Sequence, residues 1–276
     1  MKFDCIVPVG DPHCGSRFGL MPPIMRTNDG ASVMQNRLQD FSWRKWQHAT
    51  NTWLPKILGD CKWALVLMGD LVEGRHHANM ELVDHDITVH SRIAQQVLAP
   101  LAEQADEVFC IRGTECHART VESEIAEDLG ATVDPDTDDH CWEQLQIKTH
   151  GILCHFKHHI SVPGRPWTRG GHLVRAINQE QLKAIELGHT PPRVVVRAHC
   201  HQFDFVESTY GLAMSIGPWQ MMTRFARRVT QASHSIPSMQ VLDFRDLNDR
   251  YRGEQPGLPR VHWISYRPKP DPVHER

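Results

Sequence analysis

The sequence predicts an α/β fold on three observations. Short apolar runs at 3–9, 63–68 and 107–111 each end in a glycine set among polar side chains. Segments of helical period separate those runs. The later part of the chain adds alternating runs that suit antiparallel pairing. With 276 residues, 40% of them hydrophobic and 23% charged, the chain has ample material for a large core, and collagen-like, disordered and coiled-coil classes are excluded.

In chain order, residues 3–9 read as a buried strand stopped by Gly10-Asp11-Pro12, in a loop that carries Asp11 and His13. Residues 15–32, with Gly15, Gly19, Pro22, Pro23, Asn28 and Gly30, read as irregular. A helix is predicted over 32–58, because Trp43, Trp46, Thr50, Trp53 and Ile57 recur every three or four residues and make a core-facing stripe. Strand 63–68 runs into Gly69-Asp70, a helix is expected over 86–101, and strand 107–111 runs into Arg112-Gly113-Thr114-Glu115-Cys116-His117. There follow a helix at 121–129, an acidic loop, a hairpin of 142–149 with 152–158 around His150-Gly151, and a helix at 174–187. A strand at 193–198 then delivers His199-Cys200-His201, and further strands are expected at 204–208, 212–216, 239–244 and 261–266.

Net charge is −3 but uneven, with +4 on residues 224–276 and −7 on the rest, so the C-terminal region suits a phosphate-rich ligand or a solvated surface. The eight cysteines include no CxxC pair, which fits a reducing compartment. No run approaches the roughly 18 to 20 apolar residues of a membrane span, and the first residues are too soon interrupted for a secretory signal. A cytoplasmic protein with no membrane partner is the expectation.

Nineteen histidines are the unusual number. Taken singly, Asp-x-His or His-x-His is a common accident. Here, however, polar clusters directly after predicted strands supply Asp11, His13, Asp70, Thr114, His117, His158 or His159, His199 and His201. Carboxylate with imidazole suits borderline divalent metals, and the two oxygens of Asp70 allow it to bridge two ions.

These motifs resemble those of the calcineurin-like metallophosphoesterases: Asp11-Pro12-His13, Gly69-Asp70-Leu71-Val72-Glu73, Gly113-Thr114-Glu115-Cys116-His117, the run from Cys154 to His159, and Ala198-His199-Cys200-His201. Within that family the chain looks most like members from tailed phages and prophages, which implies the cytoplasm of a bacterial or phage-infected cell. The resemblance implies a four-layer α/β/β/α sandwich of two facing mixed sheets flanked by helices. With no internal repeat or low-complexity linker the chain reads as one domain, a core over 1–217 with 218–276 as an elaboration expected to complete the second sheet and wall the substrate. The resemblance further implies two divalent ions, manganese first and iron, zinc, nickel or magnesium as alternatives. One would be held by Asp11, His13, Asp70 and His201, and the other by Asp70, Thr114, a mid-chain histidine and His199, with Glu73 orienting a ligand. The implied activity is hydrolysis of a phosphodiester, in nucleic acid or a nucleotide, by attack of a metal-bridging hydroxide, with His117 protonating the leaving oxygen. The alternatives are a phosphomonoesterase, including a Ser/Thr protein phosphatase, and a catalytically weak metal-binding module.

Two departures from the family pattern bear on the second ion. Thr114 stands where the family has asparagine, and Glu115 and Cys116 intervene before His117, so either could instead enter the metal shell. For the mid-chain ligand, His158 falls where a strand should end into the site, with His159 and then His155 as alternatives. Trp219 and Arg224 suit a wall that stacks on a base and meets a phosphate, and Arg112 and Arg197 are candidate phosphate clamps. Cys14, Cys116 and Cys200 flank the metal motifs and are either oxidation-sensitive thiols or small loop residues.

Overall fold

The computed structural model describes residues 2–76, 80–118, 121–162, 168–229, 235–248 and 256–268. The elements are β1 (Cys5–Val9), β2 (Ile24–Arg26), β3 (Ser32–Met34), α1 (Arg37–His48), α2 (Leu54–Leu58), β4 (Trp63–Leu67), α3 (Ile87–Ala102) and β5 (Glu107–Ile111). Next come α4 (Glu115–Ala118), α5 (Val121–Asp128), β6 (Cys141–Trp142), β7 (Leu145–Thr149), β8 (Ile152–Phe156) and α6 (Gly171–Glu186). The chain continues through β9 (Val194–Arg197), β10 (Asp204–Ser208), β11 (Gly211–Ser215), α7 (Arg224–Val229), β12 (Ser238–Asn248) and β13 (Leu258–Ser265).

Two mixed sheets face each other. One has the order β13-β12-β1-β4-β5-β6, the other β10-β11-β9-β8-β7. Strand alternation builds the layers. Ile6, Ala64, Val66 and Met68 point from the first sheet into a shared core with Cys154, Phe156, Val194, Val196, Leu212 and Met214 of the second. Their neighbours Cys5, Val7, Val9, Leu65 and Leu67 point the other way, onto Trp46, Leu54, Ile93, Val97 and Ile125 of the helices. On the far side, Val195 and Ala213 pack against Leu173 and Ile177 of α6. The fold is therefore a four-layer α/β/β/α sandwich.

The expected helix over 32–58 is divided. Ser32 to Met34 pair with Ile24 to Arg26 in a small hairpin. The helix begins only after Asn36, whose side chain accepts from the amides of Leu38 and Gln39, while the Gln39 side chain accepts from the Asn36 amide. That reciprocal cap is a stronger start signal than the tryptophan period that extends past it. A π-helical turn at Ala49–Trp53 joins α1 to α2. Pro55 has no N–H to continue the i to i−4 ladder, and the Leu54 amide bonds to the Ala49 carbonyl instead.

A second correction concerns the C-terminal strands. β12 and β13 extend the first sheet, with β12 antiparallel to β1, rather than completing the second. The antiparallel second half is also mixed, because β11 runs parallel to β9 and antiparallel to β10. Strands β1, β4 and β5 are parallel in one sheet and β8 and β9 in the other, and the loops after these strands carry the metal-type residues. Among residues 224–276, Arg250, Arg252, Lys269 and Arg276 lie outside the described residues.

Candidate metal centre

The loops that carry the polar clusters are held in conformations that ordinary strands do not permit. Asp11, His13, Asp70, His199 and His201 all have positive φ, between 42° and 65°. Non-glycine residues pay for that region, and such strain persists where packing over-determines it. Here the first two loops zip together beyond the strand ends: the amides of Asp11, His13 and Cys14 bond to the carbonyls of Gly69, Asp70 and Leu71. Gly69 and Gly113 allow the third loop to close on them, since a Cβ on Gly113 would sit 2.2 Å from the Asp70 amide nitrogen and one on Gly69 2.5 Å from the Gly113 Cα.

The result centres on Asp70, 1% exposed. Its Oδ2 lies 3.2 Å from His158 Nε2, 3.7 Å from His13 Nε2, 3.8 Å from His117 Nε2 and 3.1 Å from Thr114 Oγ1. The Thr114 amide donates to Asp70 Oδ1 at 2.6 Å, and Thr114 Oγ1 is 3.3 Å from both His158 Nε2 and His199 Nδ1. On the opposite side, His13 Nε2 is 3.2 Å from His201 Nε2, and His201 Nε2 is 3.5 Å from Asp11 Oδ1.

The ring tautomers are fixed from behind. Nδ1 of His158 donates to the Met68 carbonyl at 2.6 Å, Nδ1 of His117 to the Glu73 carbonyl at 2.7 Å, and Nδ1 of His13 faces Glu73 Oε2 at 3.0 Å. Each ring therefore turns Nε2 toward the Asp70 carboxylate. A neutral ring would aim a lone pair at an anion, so the arrangement requires either protonated rings or a cation between them. In the metal-free chain protons do this at His158 and His13, whereas burial and then His13 pull the His117 imidazole down. Burial pulls the His158 and His13 imidazoles down, but Asp70 beside His158, and Glu73 and Asp70 beside His13, outweigh it and hold both up to about 9. Burial raises the Asp70 carboxyl in turn, yet His158, His13 and His117 hold it well below the usual carboxylate range. His199, half-buried beside His158, is pushed down to about 4 and stays neutral, the form of imidazole that can bind a metal. Asp11 Oδ1 is buried without a hydrogen bond. Divalent cations answer all of these features together, so the residues fit such ions. The clusters Asp11–His13–His201 and Asp11–Asp70–His158 each bring ligand atoms within 4.8 Å of one another.

Glu73 lies behind this set. Its Oε2 also accepts from Gln220 Nε2 at 2.8 Å, and its Oε1 is 3.1 Å from His76 Nε2. Burial raises its carboxyl, but hydrogen bonds from His13 and His76 take it well below the usual range.

A further buried carboxylate has no place in the sequence motifs. Glu122, on α5, accepts the Leu71 amide at 2.8 Å with Oε1 and the Gly113 amide at 2.8 Å with Oε2, and so ties the Asp70 and Thr114 loops together. Burial, then Asp70, push its carboxyl up to about 7. A signal existed: Glu122 shares a helical face with Ile125, Ala126 and Leu129, an acid on an otherwise apolar stripe. Glutamine at this position accepts one amide but turns an NH2 toward the other. Glu122→Gln is thus expected to cost about 1–3 kcal/mol, read by chemical denaturation of metal-loaded protein; unchanged stability would mean that the second amide finds another acceptor.

Other sequence-predicted residues are placed as follows. His155 is buried away from Asp70, against Arg197 and Glu180. His159 is exposed, its ring 4.9 Å from both His158 and His199. Arg197 is no phosphate clamp: it is 3% exposed and bonds Glu180 at 2.7 Å. Arg112 likewise pairs with Asp139 and with Glu143. Trp219 is 1% exposed and packed edge-on against Trp46, so it offers no face to a base; its amide and that of Gln220 instead bond the Asp11 carbonyl. The stretch read as a substrate wall is thus partly a brace for the first loop. Arg224 is exposed, 3.2 Å from Glu81. Cys14 and Cys200 are buried, whereas Cys116 is exposed.

No family model matches the chain, and no curated protein does. Among solved structures, wild-type Vps29 of Entamoeba histolytica complexed with zinc is 13% identical, with a TM-score of 0.45 over 95% of this chain and 98% of that one. An archaeal phosphodiesterase is 13% identical, with a TM-score of 0.44 over 95% and 99%. A hypothetical protein of Pyrococcus horikoshii is 10% identical, with a TM-score of 0.45 over 95% and 87%. Likenesses at this level do not transfer chemistry, which resides in the centre itself.

Proposed function

We propose that this chain is a metal-dependent phosphoester hydrolase of the calcineurin-like type, acting on a phosphodiester in nucleic acid or a nucleotide. The observation that carries it is the convergence on Asp70 of three imidazole Nε2 atoms whose Nδ1 atoms are committed elsewhere. Asp11, His13, Asp70 and His201 would hold one ion, and Asp70, Thr114, His158 and His199 the other. Divalent ions held there lower the pKa of water and offset the charge of a phosphoryl group. Manganese is the first ion to test, and iron, zinc, nickel and magnesium suit the same donors.

The chain's own groups do the rest. His117 Nε2 points inward while its Nδ1 is anchored on Glu73, the geometry of a group that protonates a leaving oxygen. Glu73 holds the His13 ring, and the Met68 carbonyl holds that of His158. Arg224, Arg227 and Arg228 on α7 are exposed just beyond the loop that braces Asp11, a positive edge suited to a phosphate backbone. The phage-like motifs favour the same substrate class and a cytoplasmic setting.

The test is hydrolysis of a nitrophenyl diester, a nitrophenyl monoester and single-stranded DNA by chelator-stripped protein with manganese restored. Faster turnover of the diester supports the proposal, and preference for the monoester replaces it with the phosphomonoesterase. Silence with two ions bound per chain replaces it with a binding module.

His117→Ala is expected to slow an ester with a poor leaving group about 100-fold or more, and one with a good leaving group far less, because only the former needs the proton. Equal losses on the two esters would remove His117 from that role.

A further inference from the structure

His117 faces two ways. One side looks into the centre, with its ring centroid 4.7 Å from that of His13 and Nε2 3.8 Å from Asp70. The other side meets a cluster outside the ligand sets assigned above. The His76 ring centroid is 4.3 Å away, and a ring nitrogen of His76, the sulfur of Cys116 and a ring nitrogen of His117 lie within 4.8 Å of one another.

The donors of this second cluster differ in kind. The two-ion centre is built from oxygen and imidazole, whereas this group contributes a thiol, which favours thiophilic ions such as zinc over magnesium or manganese. Both of its rings are anchored on one residue: the Glu73 carboxylate is 3.1 Å from His76 Nε2, and the Glu73 carbonyl accepts from His117 Nδ1. Carboxylate and carbonyl partners of this type fix the tautomer and aim of a metal-bound imidazole. Cys116 is exposed, so an ion has access from solvent. The two residues inserted before His117 bring both ligands into place, since Glu115 and Cys116 form the first turn of α4 and seat the thiol beside the imidazole.

We propose that His76, Cys116 and His117 form a third ion position, selective for thiophilic divalent ions, that adjoins the two-ion centre through the inward-facing Nε2 of His117. On binding, the Cys116 thiol gives its proton to solvent and its sulfur donates to the ion, and two imidazole nitrogens complete a three-ligand set with a position left for water. An ion there engages His117, which then no longer protonates a leaving group. Excess zinc is therefore inhibitory. That consequence rests on the hydrolase proposal, whereas the site itself does not.

The test uses cobalt(II) as the probe on the full chain, because a sulfur ligand gives a near-ultraviolet charge-transfer band that oxygen and imidazole ligands do not. The wild type should develop the band. Cys116→Ser, a change at an exposed position, should lose it while still binding cobalt at the main centre. Asp70→Asn, which disables the two-ion centre, should keep it. Absence of the band in the wild type, or its persistence in Cys116→Ser, overturns the site, whatever the hydrolysis panel shows. In parallel, excess zinc should lower the manganese-supported turnover of the wild type at least tenfold more than that of Cys116→Ser. Equal inhibition of the two would overturn the inhibitory role.

Discussion

Asp70→Asn is expected to lower hydrolysis by about 1,000-fold or more and to remove at least one ion, because in the proposed centre this carboxylate is the ligand that two ions share. Four donors face its Oδ2 within 3.8 Å, and the Thr114 amide uses its Oδ1. An asparagine keeps the shape but brings no negative charge, and turns an NH2 toward either the rings or the Thr114 amide. Asp11 is then the one carboxylate left in the proposed ligand sets to offset two cations. Elemental analysis of the variant after metal loading, beside its turnover, checks both halves. Two ions per chain with undiminished turnover would remove Asp70 from the bridge and with it the proposed centre.

The second large effect is pH dependence of the metal-free protein. His13 and His158 are held up to about 9 in the folded chain, against about 6.5 when unfolded. Their protons are bound more tightly by the native state, so this stabilisation is complete below about pH 6.5 and is lost as pH rises through about 9. Asp70 and Glu73 are held down, so theirs is present above about pH 4.5 and is lost as pH falls. Chelator-stripped protein should be most stable between those limits. Between pH 6.5 and 9 it should lose about 3 kcal/mol from one histidine and less than twice that from both, because one Asp70 carboxylate raises both. Divalent ions replace the protons, so the loaded protein should keep its stability over that range and metal uptake at neutral pH should release protons. Denaturation curves at several pH values, with and without manganese, read this directly. A metal-free protein equally stable at pH 6.5 and 9 would mean that the two rings are neutral and do not answer Asp70.

Much of the fold was legible. Strands β1, β4, β5 and β9 are apolar runs in a chain that must bury them on both faces, and each ends where a glycine or a polar cluster interrupts it. Helix α3 falls within a residue of its expected bounds because Asp86 caps it and its apolar period is regular. The hairpin at 24–34 is not legible in the sequence, because three-residue strands carry no period and Trp43 to Ile57 dominate the pattern. Trp219 reads as a substrate residue in sequence because aromatic, amide and arginine together look like a binding wall; its partner, Trp46, is distant in the chain.

By itself, the sequence determined which residue types gather at strand ends: the carboxylates Asp11 and Asp70, the histidines around them, and the glycines that let three loops meet. Donor chemistry and strand termination are local properties, so they can be read locally. The tertiary structure alone decided which of His155, His158 and His159 faces Asp70, that the displaced His117 returns to the centre, and that Glu122 and Gln220 brace the loops. Those outcomes depend on backbone turns at positive φ and on hydrogen bonds between residues far apart in the chain, where a rotation of one residue sends a side chain to the opposite face.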